Sequence, residues 1–311
     1  MARIGLIDVD GRSFPNIPLM KLSAWHKAQG DEVSWYDGLF NPRYDIVYRS
    51  KVFSFTEDFR EVINADKVVS GGSGYAISLV DGQEIYTPDE PLPAEVEHIM
   101  PDYSLYRDLY KDTAYGFLSR GCPRGCAFCH VKNKEGLISH KVADLSEFWA
   151  GQKSIVICDP NILACRDWRD LLGQLAESKA KVDINQGLDI RLMTEEKAEA
   201  LTKVRINEIH FAWDRYEDKD KVLPRLKMYA EVAKIRPHSH FAIVFVLVNF
   251  DTTLEQDLER IYTLREMGYW PYVMIYNKQS VQRGSVYNRL ARWVNNRFIF
   301  AKCERFEDYK P

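Results

Sequence analysis

Three closely spaced cysteines are the residues of this chain whose spacing most directly indicates chemistry. Cys122, Cys126 and Cys129 form a C-x3-C-x2-C run in a sequence of 311 residues that holds six cysteines. Three thiolates on one short loop can each bind one iron of a [4Fe–4S] cluster, which leaves the fourth iron without a protein ligand. Gly121 and Gly125 would let the backbone turn tightly around such a cluster. The spacing therefore predicts a metal centre whose open iron can bind a chelating small molecule.

Two other kinds of metal site also use clustered cysteines. A structural zinc site needs four ligands, usually in two pairs, and His130 lies too close to Cys129 in sequence to complete the same tetrahedron. An electron-transfer cluster would use a fourth cysteine, but Cys158, Cys165 and Cys303 belong to no motif. We expect Cys158 to be a small core residue and the other two to be incidental. A zinc or electron-transfer module remains the non-catalytic alternative.

The segment Ser119–Cys129, SRGCPRGCAFC, resembles the cluster loop of the radical S-adenosylmethionine (SAM) superfamily. The likeness includes the Arg-Gly-Cys-Pro lead-in and the aromatic Phe128 before the third cysteine. Within this superfamily, the chain most resembles the enzymes in which a cobalamin-binding-like domain precedes the catalytic (βα) barrel. It resembles the methylthiotransferases more distantly.

The resemblance implies a reaction and its cofactors. SAM would bind the open iron through its amino and carboxylate groups. One electron from an external flavodoxin- or ferredoxin-like donor would cleave SAM to methionine and a 5′-deoxyadenosyl radical, which abstracts hydrogen from the substrate. The substrate stays open among small molecules, peptides and RNA. The alternative enzyme is an RNA-modifying methylthiotransferase-like protein or a methyltransferase.

Composition and charge predict where in the cell the protein works and which partners it lacks. The longest wholly apolar run, Phe241–Val248, is far shorter than the ~20 residues that span a bilayer. The first ten residues carry acids where a signal peptide would keep an apolar stretch. A formal net charge of −3 gives no global basic field for nucleic acid. We expect a cytoplasmic protein without a membrane partner.

The first hundred residues predict a small Rossmann-like domain with a parallel sheet. Strands are predicted at Arg3–Val9, Glu32–Tyr36, Tyr44–Tyr48, Lys67–Ser70, Ala76–Val80 and Gln83–Thr87. Pro18 would open a helix that ends at Gly30, and Thr56 would cap a second, short helix. Asp81-Gly82 indicates a hairpin. A proline-rich stretch before residue 102 predicts a linker and places the domain at 1–100.

This domain lacks the sequence by which cobalamin-binding relatives hold cobalt. Those relatives present a histidine in an Asp-x-His-x-x-Gly loop, whereas the single histidine of the first 97 residues is His26, inside the first predicted helix. The run Gly71–Gly74 could approach a phosphate or a corrin, but a glycine run alone is weak evidence. We expect a truncated domain without cobalamin that covers the mouth of the barrel.

Residues 101–278 predict a partial (βα)6 barrel. Strands are predicted at Ala114–Leu118, Ser154–Cys158, Lys181–Asn185, Asn207–Ala212, Phe241–Val248 and Pro271–Tyr276, and helices near 143–150, 167–178, 194–203, 222–235 and 253–266. Spacings near 30 residues are typical of βαβ units, whose strands are parallel. Six units are too few for the eight-stranded barrel, so the barrel should be open, with its chemistry at the C-terminal ends of the strands.

Polar or aromatic residues recur at the ends of predicted strands two to five. The candidate cofactor contacts are Phe128 in the cysteine loop and, at strand ends, Asp159, Asn161, Gln186, Asp189, Arg191, Trp213, Asp214 and Asn249. The resemblance implies that these residues hold SAM, including its ribose hydroxyls, methionine carboxylate and adenine. The alternatives are an Asp-Pro turn after strand two and ordinary salt bridges after strand three. No catalytic residue is predicted.

Residues 279–311 predict a C-terminal helical extension. Its apolar stripe is Val286, Leu290, Trp293 and Val294, at helical intervals. Arg289, Arg292 and Arg297 fall largely off this stripe, so we expect them to stay open to solvent or to a polyanion. The pattern favours a helix that packs on the barrel flank or the N-terminal domain, with RNA contact as the alternative role.

Overall fold

The structure is a computed structural model that describes residues 1–11, 13–38, 43–80, 83–88, 90–106, 110, 112–235 and 241–310. The fold is mixed α/β with several parallel sheets. The chain forms two compact units, Met1–Val156 and Ile157–Pro311. The domains predicted at 1–100, 101–278 and 279–311 stay a prediction. Among the described residues, none of the helices is both long and apolar enough to cross a bilayer.

A four-stranded parallel sheet forms the beginning of the first unit. Its strands are β1 (Arg3–Asp8), β2 (Glu32–Trp35), β3 (Tyr44–Ser50) and β4 (Ala65–Gly71), in the order β2-β1-β3-β4. All three neighbouring pairs are parallel, which confirms the four predicted strands. Ile4 and Leu6 of β1 are buried in one cluster with Leu19 and Leu22 of the first helix.

The first helix, α1 (Ile17–Ala28), begins where the sequence predicts. The side chain of Asn16 accepts a hydrogen bond from the backbone N–H of Leu19, and a proline occupies the first turn. Both features satisfy or remove N–H groups that a helix start leaves without partners. Three further helices whose residues are all described are single turns: α2 (Ser73–Ala76), α3 (Ala94–Glu97) and α4 (Val131–Lys134).

Two predicted helices of the first unit do not form as expected. Residues 51–64 contain turns and bends, because the Thr56 hydroxyl donates to Asp10 at 2.6 Å instead of capping a helix. The helix predicted over 143–150 is reduced to a 3-10 turn, Leu145–Glu147. A competing contact explains the first difference, whereas in the second Asp144 and Glu147 still form a capping box at the start of the turn.

Shorter strands complete the first unit. They are β5 (Ile77–Val80), β6 (Gln83–Tyr86), β7 (Thr113–Gly116), β8 (Ser119–Arg120), β9 (His140–Lys141) and β10 (Ser154–Ile157), the last of which crosses into the second unit. β5 pairs antiparallel with β6 as predicted, and the predicted turn at Asp81-Gly82 lies outside the described residues. β8 pairs antiparallel with β9 and so joins the two ends of the cysteine loop.

The second unit alternates strands and helices. Its strands are β11 (Lys181–Ile184), β12 (Ile209–Ala212), β13 (Ala242–Val248) and β14 (Trp270–Ile275), and its helices are α5 (Trp168–Ser178), α6 (Glu195–Lys203), α7 (Lys219–Val232) and α8 (Leu254–Glu266). β12, β13 and β14 form a parallel sheet, and two isolated parallel bridges, Val182 to Ile206 and Leu188 to Phe211, link the β11 and β12 regions. All six strands predicted between 101 and 278 are confirmed, with ends that shift by one or two residues.

The two faces of the sheet β12-β13-β14 differ because successive side chains of a strand point to opposite sides. Phe211, Val244 and Val246 lie on the face that is fully buried. The ring of Phe211 packs edge-to-face against Tyr229 of α7, with ring centroids 4.9 Å apart. The opposite face carries His210, which alternates with Phe211 along β12.

The C-terminal extension consists of α9 (Val286–Asn295) and α10 (Arg297–Lys302), and α9 packs against β14. Three residues of the predicted stripe, Leu290, Trp293 and Val294, are completely buried, and the fourth, Val286, is partly buried. At the end of α9, Asn295 Oδ1 accepts from the backbone N–H of Val273 at 2.8 Å, and Asn295 Nδ2 donates to its carbonyl at 3.0 Å. The side-chain amide thus pairs with edge strand β14 as a neighbouring strand would.

The expectation that three arginines stay open to solvent holds for Arg292 and Arg297, which are exposed, but not for Arg289, which is partly buried. Arg289 Nη2 donates to the carbonyl of Tyr309 at 3.3 Å, and its guanidinium lies over the ring of Phe306. Arg297 Nη2 lies 2.9 Å from Glu208 Oε2, in an ion pair. Sequence periodicity locates these arginines on the helix but does not reveal partners distant in sequence.

We expect Trp293→Ala to lower the thermal midpoint of the protein by about 6 °C or more. The indole is fully buried, its ring centroid lies 4.9 Å from that of Phe300, and its Nε1 donates to the carbonyl of Cys303. Removing such a side chain costs roughly 3–5 kcal/mol, and each kcal/mol shifts the midpoint of a domain of 150–250 residues by about 2–4 °C. Phe298→Ala is the matched control, because Phe298 is 82% exposed. Equal midpoints for the two variants would contradict a packing role for Trp293.

Candidate functional site

Hydrogen bonds between the start and the end of the cysteine loop hold its two ends together. The Glu135 carboxylate accepts from the Gly121 N–H and from Arg120 Nη1, both at 3.1 Å. The Cys122 N–H donates to the Gly136 carbonyl at 3.2 Å. Gly121 has a φ of +86°, and a Cβ atom there would clash with the Ile138 carbonyl. The chain can make this turn only with glycine, so the loop is held at both ends by contacts within the loop segment.

The three cysteines of the loop are all partly exposed. The Cys129 N–H donates to the Cys126 carbonyl at 3.1 Å, which makes a tight turn between them. Within the described residues, no three His, Cys, Asp or Glu side chains are grouped to share one metal ion. A cubane cluster does not need three ligands grouped around one ion, because each thiolate binds a separate iron. Three thiols on one closed loop are a donor set of the kind that such a cluster uses.

Contacts from the first unit's hairpin and from α2 fix the segment that follows the cysteines. His130 Nε2 lies 2.9 Å from Glu84 Oε2 on β6, and Lys134 Nζ donates to Ser73 Oγ at 2.7 Å. The expected cofactor contact Phe128 is partly buried on the same loop. Sequence reasoning missed Glu84 and Ser73, since their partners lie 46 and 61 residues away.

The candidates after β10 are deeply buried. Asp159 is completely buried, and Asn161 is 2% exposed at the start of a 3-10 turn. Cys158, expected in the core, is instead partly exposed, and Cys165 is buried. The polar groups at this strand end are therefore part of the packed interior of the second unit.

The candidates after β11 form an ion-pair network. Asp189 Oδ1 accepts from Arg191 Nε at 2.8 Å, and Arg191 Nη1 lies 2.5 Å from Asp218 Oδ2. Gln186 is exposed nearby in sequence. Two carboxylates hold the guanidinium, so it has a fixed orientation before any ligand binds. These are the salt bridges that the sequence leaves as the alternative role.

A buried arginine that sequence reasoning missed joins the ends of β12 and β13. Arg260 of α8 is completely buried, and its Nη1 donates to the carbonyls of Trp213 at 2.6 Å and Asp214 at 2.8 Å. Its Nη2 donates to the Leu247 carbonyl and to Asp257 Oδ1, both at 2.6 Å. The available signal was an Asp and an Arg three residues apart in the helix predicted near 253–266, at helical spacing from Ile261 and Leu264.

The remaining candidates lie at the same strand ends. Trp213 is fully buried, and its Nε1 donates to the Arg215 carbonyl at 3.0 Å. Asp214 is partly buried, and loss of hydration raises the pKa of its carboxyl to about 6, against the opposing charges of Arg191 and Arg260. Asn249 adopts a left-handed φ of +62° and donates from Nδ2 to the Tyr276 carbonyl at 3.1 Å, which joins β13 to the end of β14.

Comparison with models of known protein families and with curated proteins finds no match to this chain.

We expect Arg260→Met to destabilise the second unit by about 3–5 kcal/mol, because it leaves the buried Asp257 carboxylate without its charge partner. Arg260→Met/Asp257→Leu should recover part of this loss, since it removes the unpaired charge as well. Thermal and urea unfolding measure both variants. Arg292→Met, at an exposed arginine, is the control and should change stability by less than about 0.5 kcal/mol. A double variant no more stable than the single one would contradict this account.

We expect Asp214→Asn to stabilise the protein relative to wild type above pH 6 and to lose this advantage toward pH 4. The pKa of Asp214 is raised from its ordinary value near 3.8 to about 6 in the folded state. The folded protein therefore binds a proton that the unfolded chain releases, and wild-type stability falls as pH rises through this window by up to about 1.4 kcal/mol per unit. Unfolding of both proteins at several pH values measures the difference. A difference independent of pH would contradict the raised pKa.

Proposed function

We propose that the protein is a radical SAM enzyme that holds one [4Fe–4S] cluster on Cys122, Cys126 and Cys129. The observation that carries the proposal is the C-x3-C-x2-C spacing on a loop closed by Glu135 and restricted to glycine at position 121. When bound, the cluster supplies the electron that cleaves SAM to methionine and a 5′-deoxyadenosyl radical for hydrogen abstraction. The loop itself would hold the three irons and leave the fourth accessible.

The residues proposed to contact SAM, Phe128 apart, are those at the strand ends of the second unit. Arg191, oriented by Asp189 and Asp218, would bind the methionine carboxylate. Gln186 and Asp189 would receive the ribose hydroxyls, and Asn249 would lie beside the adenine. Asp214 can exchange a proton near neutral pH because burial raises its pKa. Asp159 and Asn161 would support the site from within the packed interior.

The finer architecture belongs to the same proposal. We infer that the sheet β2-β1-β3-β4 is a truncated Rossmann-like domain and that β7 and β10–β14 belong to a partial (βα)6 barrel. The parallel pairing of β1–β4 and the regular alternation from β10 to β14 support both inferences. The enzyme would work in the cytoplasm, without cobalamin, and would receive electrons from a flavodoxin- or ferredoxin-like protein.

Metal analysis of anaerobically purified protein tests the cluster. We expect about four irons and four sulfides per chain, with Mössbauer spectra of a single [4Fe–4S] cluster. Replacing Cys122, Cys126 or Cys129 by Ala should abolish the cluster. Cys303→Ala is the control and should keep the cluster. Cys303 is a partly exposed cysteine of the second unit whose Sγ contacts the Arg305 carbonyl at 3.1 Å. Zinc without iron in the wild-type protein would overturn the proposal.

The same preparation separates catalysis from mere cluster binding. Reduced protein with SAM should form 5′-deoxyadenosine, detected by mass spectrometry. Arg191→Ala should keep its iron but bind SAM more weakly by about tenfold or more, as expected for the loss of a charge-assisted hydrogen bond. Full iron content without any SAM cleavage would favour an electron-transfer module.

A further inference from the structure

A parallel sheet is normally covered on both faces, but one face of β12-β13-β14 is covered only in part, since Ile243 and Leu247 are buried there whereas other side chains are exposed. His210, Phe245 and Tyr272 lie on this face, opposite to the face buried by the helices. Tyr272 is 40% exposed and Met274 is 47% exposed, although both belong to the sheet. A cavity of about 370 Å³ lies here, along the amino-terminal half of the strands. This volume is within the range of small-molecule sites.

Flat aromatic rings line much of this cavity. His210 and Phe245 stack with ring planes 5° apart and centroids 5.2 Å apart. Tyr272 meets Phe245 edge-to-face, with centroids 5.8 Å apart, and Trp270 completes the aromatic lining. Such surfaces favour a planar ligand, because offset-stacked and edge-to-face contacts add to the free energy of apolar burial.

The polar groups of the cavity differ in the partners they already have. Glu208 Oε1 lies 3.0 Å from His210 Nε2, and Glu208 Oε2 lies 2.9 Å from Arg297 Nη2. The other ring nitrogen of His210 faces the Ile184 carbonyl at 3.4 Å. Asn295 uses both atoms of its amide on β14. The Glu208 carboxylate, the Asn295 amide and the imidazole of His210 therefore already have hydrogen-bond partners within the protein.

Arg297 is the cavity residue that can still donate hydrogen bonds to a ligand. Its side chain is 41% exposed, and in the part of the chain that the structure describes its guanidinium makes one hydrogen bond, to Glu208. Arginine carries five N–H donors in a planar fork that matches carboxylate and phosphate groups. The guanidinium also lies 6.0 Å from the centroid of the Trp270 ring, at the wall of the cavity. A ligand that completes this site must therefore offer an anionic acceptor.

We propose that this cavity binds a small planar aromatic anion. The ring of the ligand lies against Phe245 and Tyr272, and its carboxylate or phosphate accepts hydrogen bonds from Arg297. The site is separate from the residues proposed for SAM, which follow the carboxyl ends of the strands, whereas Glu208 and Trp270 stand where β12 and β14 begin. The proposal does not depend on the cluster.

Calorimetric titration of the full chain, without reductant or SAM, tests this site. The probes are phenyl phosphate and indole-3-acetate, which combine ring and anion, and indole and inorganic phosphate, which supply one part each. We expect at least one combined probe to bind about tenfold or more tightly than either part, and the tighter combined probe identifies the anion. Equal binding of inorganic phosphate would indicate a nonspecific anion site and overturn the proposal.

Variants of the cavity residues complete the test. Arg297→Ala should weaken the combined probe by about tenfold or more, and Arg292→Ala, at an exposed arginine of α9, should leave it unchanged. Arg297→Lys keeps the charge beside Glu208 but not the fork, so it should bind with intermediate affinity even if the Ala variant unfolds. Phe245→Leu should also weaken binding several-fold. Wild-type affinity in Arg297→Lys and Phe245→Leu together would overturn the proposal, and so would no binding at millimolar probe. These titrations remain interpretable if the chain carries no cluster.

Discussion

The second unit depends on a guanidinium that has no contact with water. Burying a charge is costly unless it is paired and hydrogen-bonded, and Arg260 donates to three backbone carbonyls and to the Asp257 carboxylate. Those carbonyls are the terminal groups of two neighbouring strands, so the position of α8 sets where β12 and β13 end. A buried ion pair contributes little net stability compared with apolar packing. Its effect here is to define one arrangement of the strand ends and to hold the backbone of a second, partly buried acid, Asp214.

The elements that sequence analysis predicted correctly are those with strong local patterns. All six strands predicted between 101 and 278 form, and the clearest of them is β13, which coincides with the longest wholly apolar run of the chain, Phe241–Val248. Thr56 shows the limit, since a capping residue gives the same local pattern whether its hydroxyl caps a helix or binds Asp10, 46 residues away. The helix predicted over 143–150 is reduced to a 3-10 turn, although Leu145 and Phe148 are buried and Asp144 caps its start.

The candidate site likewise has some features that local sequence predicts and others that it does not. The cysteines and their glycines lie within one short segment, so spacing alone identified the loop. The groups that orient the strand-end residues are distant in sequence: Asp218 lies 27 residues from Arg191, and Trp213 lies 47 residues from Arg260. Burial could not be read from residue type either, because Asp159 and Trp213 have sequence neighbourhoods typical of exposed strand ends yet are enclosed.

The amide of Asn295 also affects how the molecule meets copies of itself. An edge strand with unpaired N–H and carbonyl groups is a template on which another chain can add a strand and begin to aggregate. On β14 the outward-facing groups of Val273 are both taken by Asn295, and Pro271, two residues earlier on the same side, has no N–H to offer. The last turn of α9 therefore shields this sheet from intermolecular strand exchange without adding a strand of its own.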